Sequence, residues 1–300
     1  MSKSDQDRHT QQLTESSKKR EQKDQDERAF SFLRINQRDA KPRRQGVTEI
    51  RGPYYTPLGK NQLTDILEFQ GAYVDIFKYA CASQVLFPRR RVVELNALCH
   101  EYDVLVSGGG SLEFVVTRGP EAVERFLGES KDLGFDIVEV STGLIKLSTE
   151  DCIRLSKKAQ QMGLKTMPEV NLGGAGFANI EDVQSRGVQH IDPARAIDEA
   201  KRQLDAGAYM VIVESEGITE NMPSPKHWRT DVISRFIGEV GMDKLMFEAA
   251  DPEVMAWYVK NFGPEVNVFI DHSQIVMMEA FRTGVWSFKD FWGQIYTYKG

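Results

Sequence analysis

The chain has 300 residues, 41% of them hydrophobic, and its 38 basic and 44 acidic side chains give a net charge of −6. This balance argues against non-specific binding to nucleic acid or anionic membranes, and no apolar run approaches the roughly 18 residues of a membrane span. Three widely separated cysteines indicate neither a disulfide framework nor a zinc site, so we expect reduced thiols and a cytoplasmic location.

The first segment, residues 1–28, carries seven basic and seven acidic side chains and almost no apolar ones. Such a segment cannot bury enough apolar surface to offset its ordering entropy, so we predict a disordered polar tail. A short apolar cluster around Phe30 and Phe32 follows, and we expect it to close the bottom of the folded domain. The basic run 41–44 is either solvated surface or a phosphate-steering element.

Eight short apolar runs then recur at about the spacing of one strand plus one helix, and each ends in a polar or ionisable residue. They span residues 47–51, 73–78, 103–107, 135–139, 165–169, 210–214, 244–248 and 266–271. Segments with helical periodicity lie between the later runs, at 120–133, 149–162, 192–206, 231–240, 252–262 and 273–283. We predict a single (β/α)8 TIM barrel over 29–284. An open doubly wound sheet would not need eight similar units.

Two loops and the C-terminal segment also stand out. The loops 171–191 and 215–230 are long for a compact domain, and we predict that they contact ligand. The extension 285–300 contains six aromatic side chains, which we expect to pack either on the barrel or on a partner subunit of a homo-oligomer.

Four glutamates end the fourth to seventh predicted strands: Glu139, Glu169, Glu214 and Glu248. The active sites of such barrels lie at the C-terminal ends of the strands, and four carboxylates converging there would repel one another without a cation. Oxygen ligands suit Mg²⁺, so we predict that these residues bind Mg²⁺. Alternatively, they form a structural network with nearby cations and backbone amides.

Two cations end the first two strands. We expect Lys78 to bind anionic oxygen or to stabilise an enolate, and Arg51 to help bind a small anionic substrate. After the third strand, the run Ser107, Gly108, Gly109 and Gly110 allows backbone amides to approach a ligand closely, with Glu113 just beyond it.

The eighth strand ends in Asp271, followed by His272 and Ser273. We predict that His272, assisted by Asp271, acts as a general acid or base. The alternative is a capping network at the start of the last helix that has no catalytic part.

From Lys41 to Arg282 the chain resembles the phosphosulfolactate synthase family, Mg²⁺-dependent barrels that add sulfite to phosphoenolpyruvate. The matching segments are 73–78, 109–113, 134–141 with Gly143, 168–170, 213–214, 246–249 and 266–267. This resemblance implies a lyase, with Ser141 and Asn171 among the substrate-binding residues. It is stronger to a side branch with plant heat-stress-associated proteins, through 46–51 and 266–274, and this branch implies the alternative of a non-catalytic stress or chaperone-like role.

The chain departs from the archaeal synthases at two places. They carry a lysine pair shortly after the strand-five glutamate, where this chain has Asn171-Leu172-Gly173, and an arginine after the strand-six glutamate, where it has Ser215-Glu216. Fewer cations remain for two anions, and a buried unpaired anion is costly. We therefore expect weak sulfite addition and a native ligand with fewer negative charges.

Overall fold

The computed structural model of the chain describes residues 28–173, 192–249 and 251–285. Eight parallel strands close into a barrel in which each strand pairs with the next and the last pairs with the first. They are β1 (Thr48–Arg51), β2 (Ile76–Tyr79), β3 (Leu105–Gly108), β4 (Ile137–Val140), β5 (Lys165–Val170), β6 (Val211–Val213), β7 (Leu245–Glu248) and β8 (Val268–Asp271). The predicted single (β/α)8 barrel is confirmed.

Helices surround the barrel. They are α1 (Lys60–Gln70), α2 (Arg89–Glu101), α3 (Ser111–Val116), α4 (Pro120–Asp132), α5 (Thr149–Gln161), α6 (Ala194–Asp205), α7 (Thr230–Val240), α8 (Pro252–Phe262) and α9 (Ile275–Thr283). The six predicted helices agree with α4 to α9 to within about two residues, while α1, α2 and α3 were not individually predicted. The buried residues of α1 are only Leu63 and Leu67, a stripe too narrow to stand out in the sequence.

Side-chain caps fix where two of the helices begin. The Ser148 hydroxyl accepts a hydrogen bond from the Asp151 amide (3.1 Å) at the start of α5. The Asp251 carboxylate accepts bonds from the amides of Glu253 (3.0 Å) and Val254 (3.1 Å) at the start of α8. These bonds satisfy amides that have no partner within the helix, so the capping residues set the lengths of the preceding loops.

The barrel interior is filled by an apolar layer: Val47, Ile76, Ile137, Met167, Met210, Ile212, Met246 and Phe269. Side chains alternate between the two faces of a strand, so the residues two positions further along the same strands also face inward. Four of those positions are Lys78, Glu139, Glu169 and Glu248. These four side chains therefore belong to a polar layer directly above the apolar one, at the C-terminal end of the barrel.

The N-terminal end of the barrel differs from expectation. Phe30, Phe32 and Leu33 are 70%, 78% and 53% exposed, so within the described residues they do not close the barrel. The basic run is not solvated surface throughout, because Lys41 and Arg43 are buried. Their charged ends are held by the Tyr102 carbonyl (3.1 Å from Lys41 Nζ) and by the Asp75 carboxylate (3.2 Å from Arg43 Nε).

Three predicted features lie largely or wholly outside the described residues. They are the polar tail 1–28 apart from Arg28, the loop 171–191 beyond Gly173, and the aromatic extension 285–300 beyond Val285. Among the helices that are described, none combines the length and the apolar character needed to cross a bilayer.

The buried side chain of Asn267 should contribute to the stability of the barrel. It is fully buried, accepts a bond from the Val47 amide (2.8 Å), and its Nδ2 lies 3.0–3.1 Å from the carbonyl oxygens of Arg44, Met242 and Leu245. We expect Asn267→Leu to lower the free energy of unfolding by about 2–4 kcal/mol, because several buried polar groups lose their partners.

Urea denaturation of the purified variant measures this loss. The matched control is Asn261→Leu, since Asn261 is exposed on α8 and donates one bond to the Trp257 carbonyl. Equal losses in the two variants would contradict a stabilising role for Asn267 between β1 and β7.

Candidate active site

The predicted strand-end residues gather at one end of the barrel. Lys78 lies on β2, Glu139 on β4, Glu169 on β5 and Glu248 on β7, while Glu214 directly follows β6 and donates its amide to the Val170 carbonyl (3.0 Å). The eight strands are parallel, so all five side chains belong to the C-terminal end, which we call the mouth.

Lys78 and Glu139 form the most buried ion pair of the mouth. The Lys78 Nζ atom lies 2.8 Å from Glu139 Oε2 and 3.1 Å from Oε1, and both side chains are less than a tenth exposed. The ammonium also lies 4.1 Å from the centre of the Phe269 ring. Burial disfavours the charged ammonium, but Glu139, Glu49 and Glu169 together raise the pKa of Lys78 above its usual value. Lys78 therefore stays protonated at neutral pH.

Glu49 lies near this pair and was not predicted as a site residue. It is fully buried, and neither carboxylate oxygen has a partner in hydrogen-bonding geometry among the described residues. Burial raises the pKa of Glu49 to about 7, with Lys78 opposing the shift and Glu139 adding to it. Its sequence signal was its position two residues before Arg51, which places both side chains on the same face of β1.

Glu169 and Glu214 are two buried acids that interact with each other. The Ser141 hydroxyl donates a bond to Glu169 Oε1 (2.7 Å). Burial raises the pKa of Glu169 well above its usual value, and the neighbouring Glu139 adds to the rise. Burial likewise raises the pKa of Glu214, with contributions from Glu169 and Glu248. Both carboxyls therefore bind a proton more tightly than an exposed glutamate does.

Three carboxylates approach closely enough to hold one cation. One oxygen each from Glu214, Glu216 and Glu248 lies within 4.8 Å of the others, and all three residues are partly buried. An all-oxygen donor set at this spacing fits Mg²⁺ or Mn²⁺. The predicted metal ligands Glu214 and Glu248 belong to this group. Glu139 and Glu169 do not, and Glu216 was not among the predicted metal ligands.

The glycine run after β3 packs against the Lys78 ion pair. A Cβ on Gly109 would lie 2.3 Å from Lys78 Cε and 2.7 Å from Glu139 Oε2, so only glycine fits there. The Gly109 amide donates to the Tyr79 carbonyl (2.9 Å), and its carbonyl accepts from Ala82 (3.0 Å). Ser107 is also fully buried. The Gly109 amide and carbonyl are therefore both hydrogen-bonded to the backbone of residues 79–82 in this structure. Ligand binding by the glycine run stays a prediction.

The last residue of β8 and the residues that follow it form a capping network. Asp271 Oδ1 accepts bonds from the Ser273 amide (3.0 Å) and hydroxyl (2.6 Å). The buried His272 ring contacts the Arg51 carbonyl through Nδ1 (2.9 Å) and the Thr56 hydroxyl through Nε2 (3.2 Å). Both ring nitrogens are occupied, so the geometry favours the capping alternative. Acid–base catalysis by His272 and Asp271 stays an untested prediction.

The remaining predicted residues line the mouth in different ways. Arg51 pairs with Glu248 (3.3 Å) and lies 4.8 Å from the Tyr55 and Phe269 ring centres. Glu113 accepts a bond from the Leu144 amide (3.1 Å). The Asn171 Oδ1 atom is buried without a partner among the described residues, so it remains a candidate contact for a ligand.

The mouth carries a large excess of negative charge. Among the described residues, eight glutamates and two cations, Arg51 and Lys78, form one set of interacting charges there; the acids are Glu49, Glu113, Glu139, Glu169, Glu214, Glu216, Glu220 and Glu248. Burial raises the pKa of several of these carboxyls, and the neighbouring carboxylates raise it further. The two cations offset only part of this effect.

The sequence matches one family model over most of its length. The model, described as (2R)-phospho-3-sulfolactate synthase (ComA), matches residues 36–287. The chain belongs to this family.

Curated relatives fall into two groups. Protein HEAT-STRESS-ASSOCIATED 32 of Arabidopsis thaliana is 34% identical over 264 residues, which cover 84% of this chain and 91% of that protein. Phosphosulfolactate synthase of Methanothermobacter thermautotrophicus is 27% identical over 261 residues, which cover 86% of this chain and 95% of that protein. Both groups therefore align along nearly the whole barrel.

Solved structures support the fold alone. The carboxyl transferase domain of Rhizobium etli pyruvate carboxylase superposes with a TM-score of 0.50 at 13% identity, covering 76% of this chain and 40% of that chain. Likeness at this level is common among barrels of unrelated activity. It therefore does not indicate the function of this chain.

The buried carboxyl of Glu49 should make the stability of the protein depend on pH. Its pKa of about 7 lies above the ordinary value of 4.5, so the folded state binds the Glu49 proton more tightly than the unfolded state. The stabilising contribution of this protonated carboxyl is therefore lost as the pH rises between these values. We expect the metal-free protein to lose stability between about pH 5 and about pH 8, and Glu49→Gln to reduce this loss.

The measurement is urea denaturation across this range in the presence of a chelator. Glu68→Gln is the control, because Glu68 is exposed on α1. If Glu49→Gln and Glu68→Gln gave the same dependence on pH as the wild type, the buried carboxyl of Glu49 would not titrate as described.

Proposed function

We propose that the protein is an Mg²⁺-dependent lyase of the phosphosulfolactate synthase type, adding sulfite or a related nucleophile to phosphoenolpyruvate or another small enolisable acid. The observation that carries the proposal is the group of Glu214, Glu216 and Glu248 beside the cations Arg51 and Lys78. Family membership over residues 36–287 supports the same class of chemistry.

Glu214, Glu216 and Glu248 would hold the metal. A divalent cation at that point would supply stabilisation for the negative charge that develops on an enolate oxygen. It would also reduce the mutual repulsion of the three carboxylates. Arg51 already contacts Glu248 (3.3 Å), so metal binding would release the guanidinium for an anionic substrate.

Lys78 and Glu169 would bind the substrate and complete the addition. Addition forms a bond from the nucleophile to the terminal carbon of the double bond, and the adjacent carbon then needs a proton. The protonated Lys78 ammonium would bind the substrate carboxylate or phosphate oxygen. Glu169, which lies outside the proposed metal ligands, is suited to supply the proton, because burial raises its pKa well above the usual range.

A stress-related role without catalysis is the second candidate. It is favoured by the 34% identity to Protein HEAT-STRESS-ASSOCIATED 32. It is also favoured by the internal pairing of Lys78 with Glu139 and of Arg51 with Glu248. In that case the ion pairs would stabilise the barrel and would not open for a ligand.

The metal proposal predicts a change in thermal stability. Millimolar Mg²⁺ or Mn²⁺ should raise the melting temperature of the wild type by about 2–4 °C, since a ligand that binds only the folded state stabilises it. Glu214→Gln and Glu216→Gln should lose most of this rise.

Two further variants decide which carboxylates bind the metal. Glu113→Gln is the control, because this carboxylate lies at the mouth outside the close group and should leave the response intact. Glu169→Gln should also retain it if the ligands are Glu214, Glu216 and Glu248. A wild type that does not respond to either metal would contradict the proposed site.

The charge of the mouth predicts a weak sulfite addition. Phosphoenolpyruvate and sulfite both carry negative charge, and within the described part of the mouth eight glutamates lie near two cations, Arg51 and Lys78. We expect turnover below about 1 per second, the lower end of the usual enzyme range. A steady-state assay with both substrates and Mg²⁺ measures it, and Lys78→Ala is the inactive control. Turnover well above this value, abolished by Lys78→Ala, would show that two cations suffice.

A further inference from the structure

A cavity lies outside the barrel wall, between the helices α2 and α4. It has a volume of about 280 Å³, and most of its lining residues are apolar: Val85, Phe87, Val92, Phe126, Leu133 and Phe135. Phe135 and Val92 are buried, while Val85 is 58% exposed, so the lining extends from the protein interior to the solvent. The lining contains none of the residues that we assign to the mouth.

Three phenyl rings form part of this lining. Phe135 is buried and packs against Tyr79, with the ring centres 5.4 Å apart, so its position is fixed by the barrel wall. Phe87 and Phe126 are only half-buried. A ligand in the cavity would remove further surface of these two rings from water. Aromatic walls suit an aromatic ligand, because rings attract one another in offset-stacked and edge-to-face arrangements.

Gln84 contributes an amide to the inner part of the cavity. The residue is 7% exposed and lines the cavity. Its Nε2 atom donates to the Ser111 hydroxyl (2.5 Å), which holds the amide in one orientation. The Oε1 atom at the other side of this amide is buried and has no hydrogen-bond partner among the described residues. A buried carbonyl oxygen without a partner is costly, and a ligand that donates a hydrogen bond to it would offset this cost.

The charges of the described lining cancel. Arg89 and Glu129 are its charged residues; Arg89 Nε lies 3.6 Å from Glu129 Oε1, and the two side chains are 56% and 61% exposed. This ion pair therefore lies at the rim. The remaining polar residue is Ser130, whose hydroxyl already donates to the Phe126 carbonyl (2.8 Å). The lining thus favours a neutral ligand, and its polar groups can still accept hydrogen bonds.

We infer that this cavity binds one neutral aromatic molecule of about two fused rings that carries an N–H or O–H donor. An apolar cavity of about 150 Å³ holds one benzene molecule, so the larger volume here leaves room for a second ring. The rings would contact Phe126 and Phe135, and the donor would bond to Gln84 Oε1. The site is separate from the mouth and does not rest on the proposed lyase activity.

Isothermal titration calorimetry of the full-length protein with indole and with benzofuran tests the inference. The two probes have nearly the same shape, but only indole carries an N–H donor. We expect one saturable indole site per chain. Benzofuran should bind about tenfold more weakly, because it leaves Gln84 Oε1 unpaired. This preference for indole should disappear in Gln84→Leu, since the variant lacks the acceptor.

Two variants that fill the cavity locate the site. Val85→Trp acts from the exposed end and Val92→Phe from the buried end. Each should weaken indole binding at least about tenfold, because a close-packed cavity has no room for the rings. Val276→Trp is the control for the added aromatic side chain: Val276 is 60% exposed on α9 and lies outside the lining.

The outcomes decide each part of the inference. Indole binding that Val85→Trp or Val92→Phe weakens but Val276→Trp retains supports the site. Binding that all three variants leave unchanged would place indole elsewhere and overturn it. Equal affinities of the wild type for indole and benzofuran would overturn the role of Gln84 as acceptor. A wild type that binds neither probe saturably would overturn the whole inference, whether or not the protein proves to be a lyase.

Discussion

The buried ion pair between Lys78 and Glu139 is the interaction on which the mouth depends. It places one permanent positive charge among carboxylates that are held inside the barrel by the alternation of their strands. Without this charge, Glu49 and Glu169 would lose an attractive neighbour that lowers their pKa values. The pair also explains the glycine at position 109, because any Cβ there would displace the lysine side chain.

The two ends of the barrel have opposite electrostatic character. Among the described residues of the mouth, the glutamates outnumber the cations, and several carboxyls bind protons more tightly than an exposed glutamate does. At the other end, Arg38, Arg43 and Arg282 lie close together, and burial lowers the pKa of Arg282. A closed barrel has no interior water channel through which these charges could be screened, since its centre is filled by apolar side chains.

The fold and the position of the site were predictable from the sequence, because both follow from periodicity. Runs that end in Glu139, Glu169 or Glu248 locate the strand ends, and parallel strands bring those ends together. The close group of Glu214, Glu216 and Glu248 was predicted only in part, since Glu216 lies beyond the strand and is brought in by the chain turning after Ser215. A network of the glutamates with nearby cations was one alternative from the sequence, but its individual contacts were not predictable: Glu139 pairs with Lys78, and His272 contacts the Arg51 carbonyl and Thr56. Such contacts depend on side-chain directions that spacing alone does not specify.

A double-mutant cycle on Lys78 and Glu139 tests most directly whether this ion pair organises the mouth. Lys78→Met and Glu139→Gln would each be expected to lower the free energy of unfolding by about 3–5 kcal/mol, since each leaves a buried charge without its partner. The double variant removes both charges, so we predict that it loses at least about 2 kcal/mol less than the sum of the two single losses. Additive losses, measured by urea denaturation at neutral pH, would contradict the central role of the pair.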